Sequence, residues 1–314
     1  KTICDQGVGI VFVSHRLDEV LNIADRVLVL RDGKLVDEMS KSEGNKERIV
    51  SSMLGHTTID SVKASSSISA DSEIAMKVEN LSTSNGISET NLTLKYGEIL
   101  GVYGIAGSGR DSLGMTLFGS NKPTSGKIIV GGNELKLGSI KSTMDMGIGY
   151  VPAERRAQGL LLERSIKENI TLAFLHKLSK LGLIQAKSED VAGQLWAENL
   201  SIKTDNIENA VLSLSGGNQQ KVLLSRWLLT GCRILILDDP TRGVDIGSKL
   251  EIYELLQNLA HNEKVAVLVI SSDIEEVLKI SDRIEVMRNG KITLSKTNPT
   301  QQEVARAAYL EEAS

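Results

Sequence analysis

Three clusters of side chains in this sequence have the types and spacing suited to phosphate chemistry. The first is Gly104-Ile105-Ala106-Gly107-Ser108-Gly109-Arg110-Asp111, followed by Ser112 and a helix-like run to Leu117. Glycines so spaced let successive backbone N–H groups turn toward phosphate oxygens, and the helix that follows adds the positive end of its dipole. Gly104, Gly107, Ser108, Gly109, Arg110, Asp111 and Ser112 are therefore candidate phosphate-binding residues. Two positions depart from the usual phosphate loop. Arg110 stands where a lysine reaches the phosphates, and Asp111 where a hydroxyl binds magnesium. Taken by themselves, the same glycines would also serve a tight turn from strand to helix.

The second cluster, Leu214-Ser215-Gly216-Gly217-Asn218-Gln219, opens a helix that runs through Leu229. Its serine hydroxyl and glycine amides can bind a terminal phosphate at the helix start. A plain N-cap role for Ser215 uses the same atoms. The third cluster comes soon after, where the apolar run Ile234-Leu235-Ile236-Leu237 delivers Asp238 and Asp239 to a strand end before Pro240. There Asp238 can hold magnesium, directly or through water, and Asp239 can orient an attacking water as general base.

Such clusters need strands that end at one edge. Buried runs at Ile234 to Leu237 and Val265 to Ile270, alternating with helical stretches, predict a mostly parallel α/β core. Apolar alternation in Met76-Lys77-Val78 and Asn91-Leu92-Thr93-Leu94 predicts an antiparallel sheet leading to the buried strand Glu98 to Tyr103. Helical spacing at Ile166, Ile170, Ala173 and Phe174, and again at Val191, Leu195 and Trp196 with Gly182 in a break, predicts a helical subdomain.

A repeat divides the chain. Ser14 to Lys34 laid on Ser271 to Lys291 agrees at about half of its positions, with Glu19-Val20-Leu21 on Glu276-Val277-Leu278 and Asp25-Arg26 on Asp282-Arg283. Val8 to Ser14 reads as a core-like strand, as if the sequence began inside a domain. The expected division is 1–55 as the end of one unit, 56–74 as a linker rich in Ser and Thr, 75–298 as a second unit, and 299–314 as a tail with helix-forming residues.

Composition narrows the class. Lys plus Arg number 36 against 40 Asp plus Glu, a formal charge of -4, which lacks the basic signature of a nucleic-acid binder. The two cysteines, Cys4 and Cys232, have no metal-ligand spacing and fit a reducing compartment. No apolar run reaches the ~18 residues of a membrane-spanning helix.

The order of phosphate loop, Leu214 to Gln219 run, acidic strand end and following apolar strand resembles the ATP-binding cassette transporter family over almost the whole chain. Gly147 to Pro152, Arg155, Gly159-Leu160, the Gly-Arg phosphate loop, Asn218, and Ser271-Ser272-Asp273 are more closely similar to the second cassette of ribose-, galactose- and xylose-type importer subunits. Those subunits fuse two cassettes in one polypeptide. The resemblance implies an α/β P-loop NTPase fold: an ATP-binding cassette with a mostly parallel core sheet, an antiparallel β sheet and a helical subdomain. It implies ATP and Mg2+ as ligands, and a head-to-tail pairing in which one cassette's phosphate loop and the other's Leu214 to Gln219 equivalent clamp each ATP. Asp245, in Thr241 to Asp245, would face the partner cassette. By the repeat, His15 corresponds to the family's switch histidine at the γ-phosphate, and Ser272 stands at that place in the second unit.

Several positions depart from the family pattern. Asp239 replaces a glutamate, Ala153-Glu154 a glutamine, and Met76 to Gly86 holds no aromatic to stack on adenine. The chain's own ATP site is thus expected to be degenerate, while Leu214 to Gln219 completes the site of a first cassette or a second copy. The implied partners are transmembrane permease subunits, docked by Gly147 to Leu160 and the helical stretch after it, and through them a periplasmic or extracellular sugar-binding protein. The implied place is the cytoplasmic face of the cell membrane. The rival readings are a non-transport tandem ATPase, for which the sequence lacks a long charged or coiled-coil insertion, and a binding-only regulatory cassette.

Overall fold

The computed structural model describes residues 2–14, 17–31, 33–54 and 72–310. The first unit holds helix α1 (Leu17–Ile23), the hairpin β1 (Arg26–Arg31) and β2 (Lys34–Ser40), and helix α2 (Lys46–Leu54). Next come β3 (Ile74–Ser82) and β4 (Thr90–Lys95), β5 (Ile99–Tyr103), α3 (Arg110–Leu117), β6 (Ser125–Val130), β7 (Asn133–Glu134), α4 (Ile140–Asp145) and β8 (Ile148–Val151). A mainly helical stretch holds α5 (Ile166–Thr171), α6 (Leu175–Leu178), a short hairpin of β9 (Ser179–Lys180) and β10 (Leu183–Ile184), and α7 (Ala186–Asn199). The chain then runs α8 (Gly216–Leu229), β11 (Ile234–Asp238), α9 (Ile246–Gln257), β12 (Ala266–Ser271), α10 (Ile274–Ile280), β13 (Arg283–Arg288), β14 (Lys291–Thr297) and α11 (Gln301–Tyr309).

Two sheets carry the larger unit. One has six strands in the order β14-β13-β5-β12-β11-β8, parallel except at the β13/β14 pair. Strands covered on both faces are largely apolar, and β5, β11 and β12 are buried along their whole length, with Asp238 and Ser271 at the ends of β11 and β12. Because β5, β12 and β11 are adjacent and parallel, the segments after Tyr103, Ser271 and Asp238 leave the sheet at one edge, where ligand sites of such sheets form. The other sheet, β4-β3-β6-β7, is antiparallel, with the alternating burial that the sequence predicts. No described helix is long and apolar enough to cross a membrane.

The helical stretch is tied to the core through a buried arginine. Arg226 of α8 donates from Nε to the Asn169 carbonyl at 2.8 Å and from Nη1 to the Gly159 carbonyl at 2.6 Å. Gly182, expected in a break, has φ 80° between β9 and β10. The segment after residue 298 is also ordered: Thr300 and Glu303 form a capping box, and Val304 and Ala308 of α11 bury against Tyr103, Ile284 and Val286.

The repeat is structural as well as sequential. Arg26 pairs with Ser40 and Arg31 with Lys34, just as Arg283 pairs with Thr297 and Arg288 with Lys291, and both hairpins bulge at the matching place, Val29/Leu30 and Val286/Met287. One expectation fails at this level. Val8 to Ser14 forms no strand, and Val11 and Val13 are 93% and 91% exposed. Their repeat-mates in β12 are buried between β5 and β11, whereas among the described residues no strand pairs with Val8 to Val13.

Candidate functional site

The phosphate loop joins β5 to α3 and is braced from outside. Gly109 caps α3 in a left-handed conformation, φ 96°, and a Cβ there would lie 2.3 Å from the Gly86 carbonyl oxygen. Only glycine fits both conditions. The turn at Gly290 is the brace: its N–H donates to the Ser108 carbonyl at 2.8 Å, and its carbonyl accepts from Ser88 N at 2.9 Å and Thr90 Oγ1 at 2.6 Å. Ser112 Oγ donates to the carbonyls of Asn85, at 2.9 Å, and Gly109, at 3.1 Å, so it fixes the 83–87 loop over the helix start. Gly104 is buried below, whereas Gly107 is exposed with nothing within 4 Å of its would-be Cβ.

Arg110, Asp111, Asp238, Asp239 and Ser272 come together at this edge. Nη1 of Arg110 lies 3.2 Å from Asp239 Oδ2 and 3.8 Å from Asp238 Oδ1, and Nη2 lies 2.7 Å from Asp111 Oδ1. Asp239 has φ 40°, its N–H donates to the Ile270 carbonyl at 2.7 Å, and its Oδ1 accepts from Ser272 N at 2.8 Å and Ser272 Oγ at 3.1 Å. Asp238 Oδ2 accepts from the Tyr150 hydroxyl at 3.4 Å. The residues present do not fit the magnesium expected at Asp238. The cationic guanidinium already fills the space between the carboxylates, and a divalent ion there would be repelled by it.

Burial, and then the neighbouring Asp239 charge, pushes the Asp238 carboxyl from its ordinary 3.8 up to about 7, against the opposing pull of Arg110. A carboxyl whose folded pKa is raised keeps its proton in the folded state while the unfolded chain releases it, so stability falls as pH rises from about 4 to about 7. In a chelating buffer, the melting temperature is expected to drop between about pH 5 and pH 7.5, and Asp238→Asn to flatten that drop. A drop of the same size in Asp238→Asn would remove Asp238 as its source.

The second cluster is built separately. Ser215 caps α8: its Oγ accepts from Asn218 N at 3.4 Å and from Asn218 Nδ2 at 3.0 Å, and Asn218 Oδ1 accepts from Lys203 N at 2.9 Å. Leu214 and Gln219 are buried, Gln219 Nε2 donating to the Val211 carbonyl at 3.3 Å, while Ser215 stays exposed. Gly217 packs against the first turn of α9, where a Cβ would lie 2.3 Å from Ser248 Oγ. Asp245, also exposed, caps that helix by accepting from Ser248 N at 3.0 Å. Ser215, half-buried Gly216 and Asp245 thus lie at one surface, with Gly217 buried beneath it. Among the described residues no hydrogen bond joins it to the phosphate loop. His15 lies outside the described residues.

Arg155 plays a part the sequence did not suggest. It was expected on a docking surface, but its guanidinium donates to the carbonyls of Arg242 and Gly243, the latter at 3.0 Å, beside Gly216. Tyr150 and Gly290 were likewise missed as parts of the site. Tyr150 lies within the Gly147 to Pro152 run and Gly290 within the repeat, so both had a signal, but neither signal named a contact.

The model of the ABC transporter family matches residues 87–242. The ribose import ATP-binding protein RbsA of Clostridium perfringens (strain 13 / Type A) is 39% identical over 306 residues, which cover 96% of this chain and 60% of that protein. The ribose import ATP-binding protein RbsA 2 of Rubrobacter xylanophilus is 40% identical over 306 residues, 96% of this chain and 58% of that protein. The chain therefore spans about 60% of the length of the curated relatives it matches. A nucleotide-free ATP-binding cassette from an ABC transporter superposes with a TM-score of 0.63 at 20% identity, over 73% of this chain and 94% of that one. An ATP-binding cassette in a dimeric, post-hydrolysis state bound to ADP and Pi gives 0.61 at 21% identity, over 72% and 99%. Those two likenesses concern the fold. This chain carries an ABC transporter ATPase domain related to the ribose import ATP-binding proteins.

Proposed function

We propose that the chain is the C-terminal part of a tandem-cassette ATPase subunit that couples ATP binding and hydrolysis to monosaccharide import. Residues 1–55 are then the end of a first cassette, 56–74 a linker, and 75–298 a second cassette with α11 packed on it. The matched hairpins, the matched bulges and the exposed Val8 to Val13 run support this division. The subunit works from the cytoplasmic face of the membrane with transmembrane permease subunits and, through them, a sugar-binding protein outside. Docking by Gly147 to Leu160 and the helical stretch remains part of the proposal, with Arg156 rather than Arg155 as its exposed charge.

The observation that carries the reading is the contrast between the two half-sites. Ser215 and Asp245 are exposed caps of α8 and α9, with half-buried Gly216 beside them and Gly217 buried between the two helix starts, so this surface completes the ATP site whose switch residue is His15. In the chain's own site, Arg110 is already engaged by acids, and Asp239 is one methylene shorter than the family's glutamate. A general base displaced by ~1 Å can cost about a hundredfold in rate. The purified chain is accordingly expected to hydrolyse magnesium-ATP at about one hundredth, or less, of the rate of the full-length subunit with its membrane partner. Rapid hydrolysis by the chain alone, abolished by Asp238→Asn, would make this cassette a complete ATPase and overturn the reading.

A further inference from the structure

Asp111 is the departure that the proposed function leaves unused. Its carboxylate is 57% exposed at the start of α3, yet both oxygens are engaged: Oδ1 accepts from Arg110 Nη2 at 2.7 Å, and Oδ2 from the backbone N–H of Gly107 at 3.5 Å. These are a cationic side chain and a loop amide, the two kinds of donor that a phosphate loop offers to a phosphate. A planar guanidinium binds a carboxylate and a phosphate through the same fork of N–H groups. Nη1 is held on Asp239 at 3.2 Å, and the buried Nε has no partner among the described residues. The arginine is thus fixed by acids from two elements, with its charge already countered.

We propose that Asp111 is an internal surrogate for a nucleotide phosphate, which holds the loop's donors in its own carboxylate and keeps the site closed to ATP. This rests on the reading of Gly104 to Asp111 as the weak nucleotide half-site, and it names what weakens it. An incoming polyphosphate has to displace Asp111 from Arg110 and Gly107, and it then meets the displaced carboxylate as a like charge. No covalent step is involved. A serine at the same place can reach neither donor as an anion, so the donors fall free to the ligand. The contacts are local, within five residues of loop and helix start, so the closure needs no movement of the sheet.

Isothermal titration of the purified chain with magnesium-ATP tests this, with inorganic pyrophosphate as a second probe. Asp111→Ser should bind both probes about tenfold or more tightly than the unmodified chain, as expected when a charge-assisted bond no longer competes. Asp111→Asn, nearly isosteric and more certain to fold, should fall between them, because it keeps the shape and loses the charge. Affinities for the three chains within about threefold of one another would overturn the surrogate role while leaving the nucleotide site standing. Failure of folded Asp111→Ser and Asp111→Asn chains to bind either probe would overturn the nucleotide reading of the loop itself, and the surrogate with it.

Discussion

Arg110→Ala is expected to cost about 3 kcal/mol of stability near neutral pH, an effect of the size seen when one partner of a buried ion pair is removed. The arginine side chain is 6% exposed, and the carboxylates of Asp238 and Asp239 are 8% and 12% exposed. Without the guanidinium, two neighbouring acids share a nearly dry space with, among the described residues, Tyr150 and Ser272 as their donors. Part of the cost is relieved by further protonation of Asp238, which burial already favours. The loss should therefore shrink as the pH is lowered toward about 3, where Asp238 is protonated in the folded state and largely so in the unfolded chain. Chemical denaturation at two pH values measures both. A cost below about 0.5 kcal/mol at neutral pH, or one that grows on acidification, would show that the cluster does not depend on Arg110. Adding Asp239→Asn to Arg110→Ala should recover part of the loss by removing one of the stranded charges.

Gly217→Ala should lower ATP turnover of the full-length subunit about a hundredfold, because the new Cβ lies 2.3 Å from both Cβ and Oγ of Ser248, and that Cβ is fixed to the backbone and cannot swing clear. The starts of α8 and α9 must then separate, which carries Ser215 and Asp245 apart. Overpacking of this kind costs about 1–3 kcal/mol, so the folded state should survive and the defect should be one of geometry. Ser248→Gly removes both clashing atoms and is expected to restore most of the turnover in the double variant. Turnover of Gly217→Ala equal to that of the unmodified subunit, or a double variant as slow as the single one, would separate this packing from function.

The strands were legible because burial on both faces leaves an unmistakable apolar run, as in Ile234 to Leu237 and Ala266 to Ile270. The hairpin of β9 and β10 was not, since strands of two residues are too short to show a period. Val8 to Val13 shows the limit from the other side: the pattern of a buried strand is present, yet these residues are exposed. Among the site residues, each departure at Arg110, Asp111, Asp239 and Ser272 could be seen, but not that they bond to one another. Arg110 and Asp239 are 129 positions apart, and their contact depends on sheet order and on side-chain rotamers. The same holds for Arg155, whose carbonyl partners carry no signature in sequence.

In the proposed function Leu214 to Gln219 serves an ATP site completed by another cassette. Ser215→Arg in the full-length subunit, assembled with its membrane partner, tests it most directly. The exposed hydroxyl is replaced by a long cation at the helix start, while the fold loses only one cap, worth about 1 kcal/mol. ATP turnover should fall by a factor of about a hundred or more, as when a preorganised group at developing charge is lost. Turnover within about threefold of the unmodified subunit, in a variant that still assembles, would mean that ATP is hydrolysed without this surface and would contradict the account.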